Sequence, residues 1–132
     1  MTETADRLVV DASAIAAIVF DEPEGVAILG RLGASQLFAP QLLPFELGNV
    51  GAKKLRLKPE QRGILEQALV EFTEMPIGLH EIDLVAVVAL AGETKLSAYD
   101  ASYLWLAREL DAELVTLDKE LQDAADKSKR DT

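Results

Sequence analysis

Four acidic residues stand where chemistry could be done. Asp11 ends the run Arg7-Leu8-Val9-Val10, Glu46 lies in Pro44-Phe45-Glu46-Leu47, Asp100 in Ser97-Ala98-Tyr99-Asp100, and Asp118 ends Leu114-Val115-Thr116-Leu117. Each falls at an element boundary or in a first helical turn. A carboxylate beside an apolar run is costly to bury without a partner, and four converging carboxylates repel one another unless a multivalent cation neutralises them. Together they read as a divalent-metal site. Singly, each has a plainer reading. Ser97 and Asp100 form an S-x-x-D capping pattern, Asp11 and Asp118 stand where the N-caps of following helices belong, and a Glu in an early helical turn commonly faces solvent. The functional reading rests on the four together.

The elements that must position these acids alternate. Leu8 to Val10 reads as a short apolar strand and Ala12 to Phe20 as a helix. Asp21-Glu22-Pro23-Glu24 has the acids and proline of a helix start, predicting a second helix to about Leu32. Gln36 to Ala39 reads as a strand, followed after Pro40 by a helix that holds Glu46 and Asn49 and ends near Leu57. Pro59 opens another helix, with Ile64, Leu65, Ala68, Leu69 and Phe72 at helical spacing up to Met75-Pro76. Ile77 to Leu79 is a candidate third strand. Glu81 to Ala91 is nearly all apolar from Leu84 onward and predicts a helix buried on most sides and capped by Gly92. Ser97 caps a helix over Ala98 to Leu110, Glu113 to Leu117 is the last strand, and Asp118 to Ala125 the last helix. Strands alternating with helices predict a parallel sheet covered on both faces. In such sheets ligands bind beyond the carboxyl ends of the strands. Asp11 and Asp118 follow strand runs directly, and the helices carrying Glu46 and Asp100 should open on that edge.

With 132 residues, 49% of them hydrophobic, the chain is expected to form one domain, 1–132, with a core of its own. The absence of cysteine excludes disulfides, thiolate zinc sites and Cys nucleophiles. Neither a P-loop nor G-x-G-x-x-G is present. The single histidine, His80, gives little support to Ser-His-Asp catalysis and reads better as a loop or capping residue. A phosphoryl-accepting receiver domain would place acids after its first and middle strands and a Lys after its last; here acids follow the first and last strands. No apolar stretch approaches membrane-spanning length, so a cytoplasmic protein without membrane contact is expected. The 23 acidic and 13 basic residues give a net charge of −10, which repels nucleic acid in bulk. A local strip of Lys53, Lys54, Arg56, Lys58 and Arg62 could still track phosphates, or could be a solvated helix end.

Taken in order along the chain, Val9-Val10-Asp11-Ala12-Ser13-Ala14, Ala39-Pro40 leading to Glu46 and Asn49, Tyr99-Asp100-Ala101-Ser102-Tyr103-Leu104, and Val115-Thr116-Leu117-Asp118 resemble a PIN domain, and more narrowly the VapC-type ribonuclease toxins of bacterial toxin–antitoxin pairs. The resemblance covers essentially the whole chain. It implies a PIN-like three-layer α/β/α sandwich around a short parallel sheet, with Mg²⁺ or Mn²⁺ held by Asp11, Glu46, Asp100 and Asp118. It also implies metal-dependent RNA cleavage, with Ser13, Asn49 and Thr116 in supporting places, a small cognate antitoxin and a homodimer. Hard cations prefer oxygen donors, which suits these residue types; one ion and two remain open. The readings that compete are a catalytically silent interaction module of the same fold and a housekeeping nuclease without an antitoxin.

Overall fold

The computed structural model describes residues 6–130; positions 1–5 and 131–132, and the side chain of Arg130, lie outside the described residues. The strands are β1 (Arg7–Val10), β2 (Gln36–Pro40), β3 (Ile77–His80) and β4 (Glu113–Val115). The helices are α1 (Ala12–Val19), α2 (Gly25–Leu32), α3 (Leu43–Leu57), α4 (Arg62–Glu74), α5 (Leu84–Thr94), α6 (Ala98–Glu109) and α7 (Lys119–Arg130), with a 3₁₀ turn at Pro59–Gln61 before α4. All strand pairs are parallel, in the order β3-β2-β1-β4. The helices flank this sheet in the three-layer arrangement expected: α1 packs with α2, α3 and α4, while α6 packs with α5 and α7 and lies against β1, β2 and β4.

β1 is inner to the sheet, with Leu8, Val9 and Val10 all buried, as a continuous apolar run in a two-sided parallel sheet should be. From β1 the chain winds outward through β2 to β3, then crosses back to place β4 on the other side of β1. The strand order therefore reverses between β1 and β4. A crevice opens at such a switch point, beyond the carboxyl ends of the two strands. Asp11 and Asp118 follow those two strands.

Several sequence expectations are corrected. The helix α2 begins at Gly25, not within Asp21–Glu24, because those residues finish α1 instead. Asp21 adopts a left-handed φ of 53°, its N–H donates to Ile18 O and that of Glu22 to Ala17 O, the paired bonds of a Schellman motif. Gly25 then sits so close to α1 that a Cβ would fall 2.2 Å from Ala17 O, which only glycine permits. The helix α5 is not buried on most sides: Val87 and Leu90 are buried, but Leu84, Val85 and Val88 face outward, with Val85 83% exposed. It packs chiefly against α6, and among the described residues the side carrying Leu84, Val85 and Val88 stays exposed. Nor does Gly92 cap it; the helix continues to Thr94 and ends on left-handed Lys95. Ile64 is exposed on α4, whose inner face is Leu65 and Ala68.

Candidate active site

Asp11 directly follows β1 and N-caps α1, its Oδ1 accepting from Ala14 N at 3.0 Å. Ser13 Oγ donates to the same oxygen at 2.7 Å, and Thr116 Oγ1 donates to Oδ2. An ionised carboxylate offers roughly four acceptor sites. Three are filled by these donors, which leaves one, on Oδ2, for a cation. The carboxylate is 5% exposed, and burial raises its pKa above the ordinary value despite the three donors; Asp118 adds to the rise.

The expected strand to Leu117 stops at Val115, because side chains take over its hydrogen bonding. Leu117 N donates to Ser13 Oγ at 2.9 Å and Asp118 N to Thr116 Oγ1 at 2.9 Å. Such local bonds draw the backbone out of a ladder. Here they join the ends of β4 and β1 through the two hydroxyls that also hold Asp11. Asp118 then N-caps α7, accepting from Leu121 N at 3.0 Å. Both plain capping readings are therefore correct for Asp11 and Asp118, and both residues still face the crevice group.

Asp100 is different. Ser97 Oγ accepts from Asp100 N at 3.1 Å, but the reciprocal bond of a capping box, donated by Ser97 N to the Asp100 carboxylate, is not made. The carboxylate is left facing other acids. Burial raises its pKa, with Asp118, Asp11 and Glu120 adding to it. Glu46, in the first turn of α3, is half-buried and accepts from Tyr103 Oη at 2.6 Å. Its pKa is raised by burial, opposed by the Tyr103 bond and reinforced by Asp100 and Asp11. Four segments thus deliver carboxylates that feel one another's charge.

Two residues of this group escaped sequence reasoning. Tyr103 follows Asp100 by three positions, so a shared helix face was readable, but nothing local pointed its hydroxyl at Glu46, 57 residues away. It is 1% exposed, and the buried ring, with Glu46 beside it, pushes the phenol far above its ordinary value. It is a permanent donor. Tyr103→Phe should leave Glu46 without that donor, raise its pKa further and destabilise the fold by about 1.5–3 kcal/mol, the range for hydrogen bonds to charged groups. Urea denaturation checks this; an unchanged midpoint would show the bond contributes nothing. Glu120 is a fifth acid, exposed on α7 and acting on Asp100.

Asn49 is exposed one turn beyond Glu46. The basic strip divides. Lys54 pairs with Glu22 at 3.5 Å and lies 5.4 Å over the Phe20 ring, and Arg62 pairs with Glu66 at 2.8 Å along α4. Lys53, Arg56 and Lys58 are exposed. A shallow cleft of about 430 Å³ lies beside the carboxylates, lined by Ser13, Ala16, Glu22, Glu24, Val50 and Leu117.

As the side chains stand, no three His, Cys, Asp or Glu among the described residues are placed to hold one metal ion together. The donor set nonetheless fits a hard cation. All four groups are carboxylates, three have pKa values raised by burial and one another's charge, and Mg²⁺ takes only one or two carboxylates while keeping several waters.

The model of the PIN domain family matches residues 8–127. The chain belongs to the PIN-domain family. Within it, the chain is 32% identical over 120 residues to Ribonuclease VapC3 of Pyrobaculum aerophilum, covering 87% of this chain and 92% of that protein. The fold is similar to the crystal structure of PAE2754 from Pyrobaculum aerophilum, with a TM-score of 0.75 and 28% identity over 93% of this chain and 87% of the other. Among the described residues no helix is long and apolar enough to cross a membrane.

Proposed function

We propose that this chain, as a single PIN domain, is a Mg²⁺- or Mn²⁺-dependent endoribonuclease, the toxin of a toxin–antitoxin pair acting in the cytoplasm. The observation that carries the reading is the convergence of Asp11, Glu46, Asp100 and Asp118, from four separate segments, at the β1/β4 switch point. The similarity to a ribonuclease of the VapC group supports RNA as substrate and a small cognate antitoxin as partner. A bound divalent ion supplies charge neutralisation and a water acidic enough to serve as nucleophile. Asp11 would hold it through the open site on Oδ2, with Ser13 and Thr116 fixing the carboxylate's orientation. Glu46, Asp100 and Asp118 would complete the donor set, Tyr103 holding Glu46 in place. Exposed Lys53, Arg56 and Lys58, with Asn49, would bind phosphates leading away from the site, while Lys54 and Arg62 are engaged by acids of their own. Water attack at phosphorus breaks the bond to the 3′ oxygen, giving a 5′-phosphate and a 3′-hydroxyl. A basic antitoxin side chain placed among the acids would relieve the same repulsion as the metal. The uncovered face of α5 supports a homodimer.

The test is incubation of purified protein with total RNA from its own source in Mn²⁺ or Mg²⁺ and in EDTA. The expected result is discrete fragments with 5′-phosphate ends in metal and intact RNA in EDTA. Cleavage that persists in EDTA, or fragments ending in 2′,3′-cyclic phosphate, would reject the mechanism.

A further inference from the structure

Away from the carboxylate group, the cations of this acidic chain are not evenly spread. Lys95, Arg108 and Lys127 line one cavity of about 400 Å³, together with Thr94, Ser128 and a single acid, Glu93. All three are exposed, and among the described residues none of them makes an ion pair, with Glu93 or with any other acid. That is unexpected in a chain of 23 acidic and 13 basic residues. The last turn of α6 suits a cation such as Arg108, but three like charges round one cavity repel one another unless an anion lies between them. Lys95 adds a second sign. It holds a left-handed φ of 64° at the end of α5, a place where glycine is free of strain and lysine is not.

Arg108 is aimed by a neighbour. Its Nε donates to Ser128 Oγ at 2.7 Å, a bond between the last turns of α6 and α7. The bond uses one of the five N–H groups of a guanidinium and only the acceptor side of the hydroxyl, so both residues keep donors for a ligand. The same two residues border a second cavity of about 450 Å³, whose walls include Leu104, Ala107, Leu114 and Ala125, all buried. The Arg108–Ser128 bridge thus stands between a cationic chamber and an apolar one. Neither chamber belongs to the carboxylate group. Asp100 is in the first turn of α6 and Asp118 caps α7, whereas Arg108 and Ser128 lie about 12–15 Å further along those helices, at 1.5 Å per residue.

We infer that these two cavities form a binding site for a small organic phosphate, with the phosphate in the cationic chamber and the organic body in the apolar one. Three cations against one carboxylate leave an excess of positive charge that matches a phosphate monoester, which carries about −1.5 to −2 at pH 7. The guanidinium and the two ammonium groups donate to its oxygens, and charge-assisted bonds of that kind are the strong ones. The buried Leu and Ala side chains hold the rest of the molecule by the apolar area it removes from water. The site is independent of RNA cleavage, and neither reading rests on the other.

The experiment titrates phenyl phosphate and inorganic phosphate into protein stripped of metal, following the backbone amides by NMR. Without a cation the four carboxylates repel both probes. Saturable shifts should appear at Lys95, Arg108, Lys127 and Ser128, with phenyl phosphate about ten-fold tighter than inorganic phosphate through burial of its ring. Arg108→Gln and Lys127→Gln should each weaken both probes about ten-fold or more, the lower end for a hydrogen bond to a charged group. Arg62→Gln, the same change of charge on α4, should leave both affinities as they were. Ala112→Leu, which adds bulk to the apolar cavity, should remove the advantage of phenyl phosphate and spare inorganic phosphate. Equal affinity in the parent and in a folded Arg108→Gln, Lys127→Gln double variant would overturn the inference, as would shifts that do not saturate. A trinucleotide RNA without a terminal phosphate should not displace phenyl phosphate; if it does, the groove binds phosphodiesters and the inference falls.

Discussion

Asp11→Asn and Asp118→Asn are expected to lower RNA cleavage by at least about 100- to 1,000-fold, the loss typical of removing one preorganised stabiliser of transition-state charge. Both proteins should remain folded. An Asn at position 11 keeps an oxygen for Ala14 N and Ser13 Oγ, and its amide can donate to Thr116 Oγ1, whose hydroxyl turns to suit. An Asn at position 118 remains a good N-cap for Leu121 N. What each loses is a negative charge at the switch point. In a bacterial host the unaltered chain, expressed alone, should arrest growth by cutting an RNA needed for translation, and the two variants should grow normally at equal soluble expression. Arrest that persists in folded Asp11→Asn would mean that the chain acts by sequestering a host component, and the enzymatic reading would be abandoned.

Metal and acid should both stabilise this fold, and for the same reason. Burial and mutual repulsion raise the pKa values of Asp11, Glu46 and Asp100 above those of the unfolded chain. The folded state then binds more protons than the unfolded one across the interval between the two sets of values. Stability must therefore fall as pH rises through the raised pKa values, and recover as pH drops toward about 4, where the unfolded carboxyls titrate. Metal-free protein should melt higher at pH 5 than at pH 7. Mg²⁺ or Mn²⁺ at 100 times its dissociation constant should add about 2.7 kcal/mol at neutral pH, a rise on the order of 10 °C in melting temperature. The increment should shrink at pH 5, where protons compete for the same oxygens. Asp100→Asn gives an independent check, because its carboxylate makes no hydrogen bond to lose. Without metal at pH 7 that variant should melt above the parent. Thermal scans decide it: a melting temperature that is flat or falling from pH 7 to pH 5, with no response to millimolar metal, would remove the carboxylates from a common site.

The order of strands and helices and the parallel sheet were legible in the sequence, because each depends on a local signal. Short apolar runs ending in Asp, a Ser three residues before an acid, and a Pro opening a helix are read over a few residues, and the structure places strands and helices close to where those signals fall. The exceptions are also local in origin. Asp21–Glu24 carry the marks of a helix start, yet are used to end α1, since one short acidic stretch can satisfy either terminus and only packing on Ala17 selects between them. For α5, hydrophobicity shows what a helix is able to bury. How many of its sides meet a neighbour is decided by the layers around it, and here one side stays open.

Which distant groups face each other depends on long-range packing. Ser13 and Thr116, 103 residues apart, meet over Asp11 because β1 and β4 are neighbours, and no sequence signal states that the fourth strand returns beside the first. That return sets the switch point, and with it the edge on which all four carboxylates gather. Asp100 was readable as a capping residue; that its carboxylate is left to the acid group, while Tyr103 of the same helix holds Glu46, follows from the placement of α6 across the sheet. Residue type fixes the chemistry available to this protein, since it sets charge, donor capacity and affinity for a hard cation. Long-range strand pairing determined where that chemistry is concentrated, because bringing like charges together is unfavourable locally and is sustained only by the burial of the core around them.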